Sequence, residues 1–255
     1  IRDIDDALHN LFEHPNTPPF ISRQLIQFLV TSNPSSNYVA RIAAKFANNG
    51  AGKRGDLAAV VRAILLDEEA RDPRWFAGAM EFGRLKEPVQ RAMAIARAGR
   101  LDNYTNLLWW TWGEFNAAAF QEPGYSPSVF NFFRPGYQPP GLLTQYGLVG
   151  PAFQITDSYS SISFPNKLWE FTQSGLKLYD VYGFPPDFVD FLSVSDNAGA
   201  LVDEVGLIFG GGAWSAGTRD RILNAVNQVP SYDRLLRIRL AIYLAATCPE
   251  GAVQR

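Results

Sequence analysis

Gly50-Ala51-Gly52-Lys53 has the make-up of a phosphate cradle, in which glycine N–H groups and a lysine hold an anion. The full pattern needs a glycine five residues before the last one and a Ser or Thr after the lysine. Ala47 and Arg54 stand there instead. The preceding residues have helical spacing, where such a loop follows a strand, so the run reads as a glycine helix stop followed by a basic loop. Ala213-Trp214-Ser215-Ala216-Gly217 is one substitution from a nucleophile elbow. An elbow needs a strand before the serine and a histidine later in the chain, and no histidine follows residue 14. Ser215 therefore reads as a helix N-cap. His9 and His14 are five residues apart and do not share a helix face, so a zinc or di-iron site cannot be built from histidine alone. His14 is expected to cap the first clear helix, or to join a site completed by residues outside this chain.

The other candidates are binding residues. Arg23 lies on a helix whose spacing looks buried, and a buried arginine needs a carboxylate, a carbonyl or a ligand in a cleft. Trp109, Trp110 and Trp112, with Phe115, are the densest aromatic cluster. Such rings form a sugar platform or a haem wall, or more commonly a core or subunit interface. Asp3, Asp5, Asp6 and Glu13 lack the glycine and terminal glutamate of a calcium loop and read as a solvated helix start. The ligand-binding candidates are thus His14, Arg23, Trp109, Trp110 and Trp112. No catalytic set, metal set or cofactor motif is complete, and whether the chain is an enzyme stays open.

These residues need elements to position them, and the spacing predicts helices nearly everywhere. One helix follows Pro18-Pro19 and ends before Asn33-Pro34. A second carries Tyr38, Val39, Ile42 and Phe46, with Ser35 or Ser36 as N-cap. A third carries Leu57, Val60, Val61, Ile64 and Leu65 behind Asp56, and a fourth starts near Pro88. Further helices are expected around 152–163, 165–174, 186–193, 197–209, 216–228 and 231–246. No hairpin or alternating strand stands out. The fold class expected is all-α, an irregular multi-helix bundle. Residues 1–120 and 152–255 form two helical subdomains of one compact unit, with an ordered loop at 121–151 rich in Pro, Gly and aromatics. Those aromatics should pin the loop onto the helices. Val39, Ile42, Phe46 and the Asn49-Gly50 stop echo Val202, Val205, Phe209 and the Gly210-Gly211-Gly212 stop. This is either a repeat or the ordinary likeness of two helix pairs of similar length.

Composition bounds the rest. A net charge of -2 gives no basic face for nucleic acid. The single Cys248 excludes a disulfide within the chain, and no Cys-x-x-Cys-His is present for covalent haem. No apolar run reaches the ~20 residues of a membrane helix, so an integral membrane protein is not expected. With 13% aromatics and only 19% charged residues, the surface should be sticky toward a partner, with a homo-oligomer among the possibilities.

Two blocks carry a family resemblance: HPNTPPFISRQLIQFLVTSNPS at 14–35 and NNGAGKRGDLAAVVRAILLDEEAR at 48–71. Lys86-Glu87-Pro88-Val89, SPSVFNFFRP at 126–135, LVGPAFQ at 148–154 and the tail from Arg239 to Arg255 add to it. Together they resemble the C-terminal half of a bacterial family known as domain of unknown function 1800. The resemblance implies an exported protein, periplasmic or extracellular. It also implies partners, either the chain's own N-terminal half or a co-exported protein. It supplies no catalytic residues. The functional expectation is a binding or scaffolding module. The alternative is part of an enzyme or redox protein, with haem or metal, in which His14, Arg23 and the 121–151 loop converge on one cleft.

Overall fold

The structure, a computed structural model, describes residues 2–75, 82–101, 112–129, 131–178 and 182–254. The fold is mainly helical, as expected, and forms two compact units. Unit 1 comprises residues 1–84 and 140–150, with residue 255. Unit 2 comprises 85–139 and 151–254. The Pro-rich stretch at 121–151 thus contributes to both.

In unit 1, α1 (Arg2–Glu13) precedes three mutually packed helices, α2 (Thr17–Leu29), α3 (Ser36–Ala47) and α4 (Leu57–Leu66). The starts were legible in the sequence. Pro18 and Pro19 lie in the first turn of α2, where a missing N–H costs nothing. Ser35 Oγ accepts the Tyr38 N–H, and Asp56 Oδ1 accepts the Ala59 N–H. Ile26, Tyr38, Ile42, Phe46, Val60 and Ile64 interlock as the core. Tyr38 is fully buried because its hydroxyl donates to the Ile64 carbonyl at 2.7 Å. Burial pushes its phenol pKa upward, followed by the charges of Asp67 and Glu69.

Unit 2 holds α5 (Pro88–Ala98), α6 (Trp112–Ala119), α8 (Ser160–Ser174), α9 (Ala198–Gly210), α10 (Ala216–Asn227), α11 (Arg234–Thr247) and α12 (Pro249–Ala252). The short α7 (Leu142–Gln145) belongs to unit 1. Ile95, Leu168, Leu201, Val205, Ile238 and Ile242 lie in the unit 2 core. The segments expected at 152–163 and 165–174 are a short turn at Pro151–Ile155 and then one helix, α8, running through Pro165. Pro165 is the sixth residue of α8, past the first turn, so α8 lacks the bond that an N–H there would make to the Ser161 carbonyl. The segment expected at 186–193 is only a three-residue turn, Val189–Phe191. A small hairpin, Leu176–Leu178 against Tyr182–Phe184, corrects the expectation of no hairpin. Three-residue strands are too short to show alternation.

The aromatics of the 121–151 stretch are divided. Phe133 is buried, whereas Tyr125 and Tyr146 are about three-quarters exposed. The 140–150 segment is held in unit 1 by polar bonds. The Asn33 carboxamide donates to the Val149 carbonyl and accepts its N–H, both at 2.9 Å.

The echo is resolved by the caps. Ser215 Oγ accepts the Thr218 N–H at the start of α10, as Ser35 does for Tyr38 in α3. In both units a glutamate clamps the cap. Glu69 accepts the Ser35 N–H and hydroxyl, and Glu250 accepts the Ser215 N–H and hydroxyl, both at 2.7 Å. The third helix of each trio starts behind an aspartate, Asp56 or Asp233, whose carboxylate accepts the N–H three residues on. The motif α2–α4 therefore recurs as α9–α11. The apolar echo had matched α3 with α9, one helix out of step. Apolar spacing is common to all buried helices, and the caps fix the register.

Candidate functional site

Lys86-Glu87-Pro88 opens α5 in unit 2. Gln90 Oε1 accepts the Glu87 N–H at 3.0 Å, and Pro88 occupies the first helical turn. Gln121 secures this start, since its Oε1 accepts the Val89 N–H and its Nε2 donates to Glu87. On either side of this start lie two half-buried cations. Lys86 Nζ donates to the carbonyls of Phe209 and Gly251 at 3.0 and 2.9 Å. Arg91 donates from Nε and Nη2 to one carbonyl, that of Ala246, at 3.0 and 2.8 Å. The Arg91 guanidinium also lies over the Phe164 ring, 4.8 Å from its centre.

Lys86 and Arg91 line a cavity of about 220 Å³ with Thr156, Ser161, Phe164 and Thr247. Burial lowers the Arg91 pKa to about 10 and lowers that of Lys86, where the Arg91 charge adds to the effect. Cys248 thiolate would act the other way on both cations, but burial pushes that thiol upward, so it is neutral at pH 7. Neither cation makes an ion pair among the described residues. Sequence reading missed this pair. The available signal was Arg91 at four residues before Ile95, which puts a charge on the buried face of α5.

Unit 1 has a larger cavity of about 520 Å³, and its charges are paired. Arg41 makes a two-pronged bond to Asp67, at 2.8 and 2.6 Å, and Arg74 pairs with Asp72. The phosphate-cradle reading at 50–53 meets a physical obstacle. Asn48 Oδ1 accepts the N–H groups of Gly50 and Gly52, and Asn49 Oδ1 accepts those of Ala51 and Lys53. Two carboxamides already fill the place of an anion. Ser215 is a cap, as described above.

Of the predicted binding residues, His14 is exposed, and its Nδ1 accepts the Asn16 N–H at 3.1 Å just before α2. Arg23 faces outward on α2, so it lacks the buried setting that would demand a partner. Neither lines the two cavities described above. Trp109 and Trp110 lie outside the described residues, and Trp112 opens α6, so the sugar-platform reading falls outside them too. Among the described residues no group of three or more His, Cys, Asp or Glu is placed to hold a metal ion. No described helix is long and apolar enough to cross a membrane.

α1 differs from every other long helix in having no buried residue. It is attached through its last turn. Phe12 lies 6.2 Å from the Phe46 ring and packs on Gly55, and Arg54 donates to the Phe12 carbonyl at 3.1 and 2.8 Å. Ile4, Leu8 and Leu11, spaced to share one face, are 64%, 60% and 64% exposed.

The model of one protein family, described as "Protein of unknown function (DUF1800)", matches residues 1–252. The chain belongs to this family. The match covers nearly the whole chain, so the expected family stands. No curated protein and no solved structure matches. Membership in DUF1800 brings no described activity, so any function has to be argued from the residues themselves.

Proposed function

We propose that this DUF1800 protein is a binding module whose docking surface is the apolar face of α1. The observation that carries the reading is the row Ile4, Leu8 and Leu11, more than half exposed on a helix that is otherwise strongly polar. A lone apolar side chain at a surface is ordinary, but three in register on one helix face are a contact surface. Covering them would contribute about 1–2 kcal/mol each, enough to matter in an interface. At 100° per residue, Asp3 and Asp5 fall on opposite borders of the row. The partner that fits is a protein surface with an apolar groove and Lys or Arg along its rims. The family likeness further supports export to the periplasm or beyond.

The test is the mass of the protein from its native source, by light scattering after gentle cross-linking, for wild type and for Leu8→Asp/Leu11→Asp. The wild type is expected to run as a complex heavier than the double variant. The variant should run as the bare chain with unchanged helical circular dichroism, and 0.5 M salt should weaken the wild-type complex. A wild-type protein that runs alone, or a variant that keeps its partner, overturns the reading.

A further inference from the structure

We propose that the cavity of unit 2 lined by Lys86 and Arg91 is a binding site for a small oxyanion, a carboxylate or phosphate group carried on a compact apolar body. The two cations are held half-buried against carbonyl oxygens, and no described carboxylate pairs with either. The rival explanation is that they only complement helix C-termini, since Phe209, Ala246 and Gly251 lie in the last turns of α9, α11 and α12. A helix end contributes about half a negative charge. The ends of α9 and α11 offset about one of the two positive charges, the single turn of α12 offsets less than a further half, and the remainder is left for a ligand.

Donor counting points the same way. Lys86 has three N–H groups and uses two, leaving one. Arg91 has five and uses two, leaving three. The unused donors are open to water, and an anion in the cavity would replace that water with charge-assisted hydrogen bonds. The remaining walls limit the ligand. Ser161 and Thr247 already donate to the Ser158 and Tyr243 carbonyls and can only accept from a ligand. Phe164, Ile155 and Pro165 supply an apolar side, and about 220 Å³ admits a short chain but not a nucleotide.

The probes are butyrate and inorganic phosphate, each titrated into the full chain against sodium chloride of equal ionic strength. The readouts are amide NMR shifts and Tm. A saturable response centred on residues 85–91 and 155–164 supports the site. Saturation by butyrate assigns a carboxylate ligand, and saturation by phosphate a phosphoryl ligand. Linear responses to both, like that to chloride, overturn the proposal. Removing Lys86 or Arg91 also removes carbonyl ties, so the deciding variant is Ser161→Trp at an exposed residue on the cavity wall. It should lower affinity at least tenfold with unchanged circular dichroism. Full binding by this variant would place the anion elsewhere and end the proposal. The Leu8→Asp/Leu11→Asp chain should bind the probes normally, so this site and the α1 surface can fail independently.

Discussion

Asp67 and Arg91 show how differently one fold can treat a buried charge. Burial alone would push the Asp67 carboxyl upward, but the Arg41 guanidinium, the Glu69 N–H and the Arg41 charge outweigh it and hold it below the ordinary value. The sign of the linkage follows. A carboxyl lowered in the folded state stabilises at pH above its unfolded value, and that contribution is lost as pH falls through the folded one. Asp67→Asn should therefore flatten the acid limb of the stability–pH curve below about pH 4, measured by urea melts. Breaking a buried pair costs about 3–5 kcal/mol and an exposed one about 0–1. Arg41 is 38% exposed and Asp67 only 7%, so the loss at pH 7 should be about 1–2 kcal/mol. An acid limb as steep as wild type would show that Asp67 does not carry it. Nothing in the local sequence shows that Glu69 reaches back 34 residues to Ser35. Arg91 was hidden in the same way. Local pattern reports which face a residue occupies, and its partner comes from another element.

At the scale of elements, caps were legible and tight approaches were not. Ser35, Asp56 and Ser215 stand where their side-chain oxygens meet the first free N–H groups of a helix, a strictly local arrangement. The Gly210-Gly211-Gly212 run looked like a helix stop, and Gly211 does take the left-handed conformation that ends α9. Gly210 has a second role that only packing reveals. A Cβ there would lie 1.8 Å from Nε1 of the Trp214 indole folded over it. Gly210→Ala should destabilise by about 1–2 kcal/mol, because displacing the ring outweighs the helix propensity gained. Gly217, in the first turn of α10, faces open space, so Gly217→Ala should be neutral or stabilising by up to about 1 kcal/mol. Urea melts of the pair decide the point, and equal shifts would mean that the indole does not constrain Gly210.

At the scale of the molecule, the recurrence of the capped trio is the organising fact. Each unit repeats the order of helix, serine cap clamped by a glutamate, second helix, aspartate cap and third helix. The all-α class was readable from helical spacing, because most helices bury one stripe. The repeat was half readable. The apolar echo showed that something recurs but placed it one helix off, since the clamping glutamates lie 34 and 35 residues from their serines. If each trio is a self-contained device, its cap should act within its own unit. The Ser35 clamp is made with Glu69 and Tyr38, and the Ser215 clamp with Glu250 and Thr218. Ser35→Ala and Ser215→Ala should each cost about 1 kcal/mol, the usual value of a lost N-cap. The double variant should lose their sum to within about 0.5 kcal/mol. Since about 1 kcal/mol corresponds to ~2–4 °C in a chain of this size, the double variant should melt ~4–8 °C below wild type. A cycle of wild type, both single variants and the double variant measures this directly. A coupling well above 0.5 kcal/mol of either sign would mean that the two caps stabilise one shared structure, and the trios would then be parts of a single cooperative assembly.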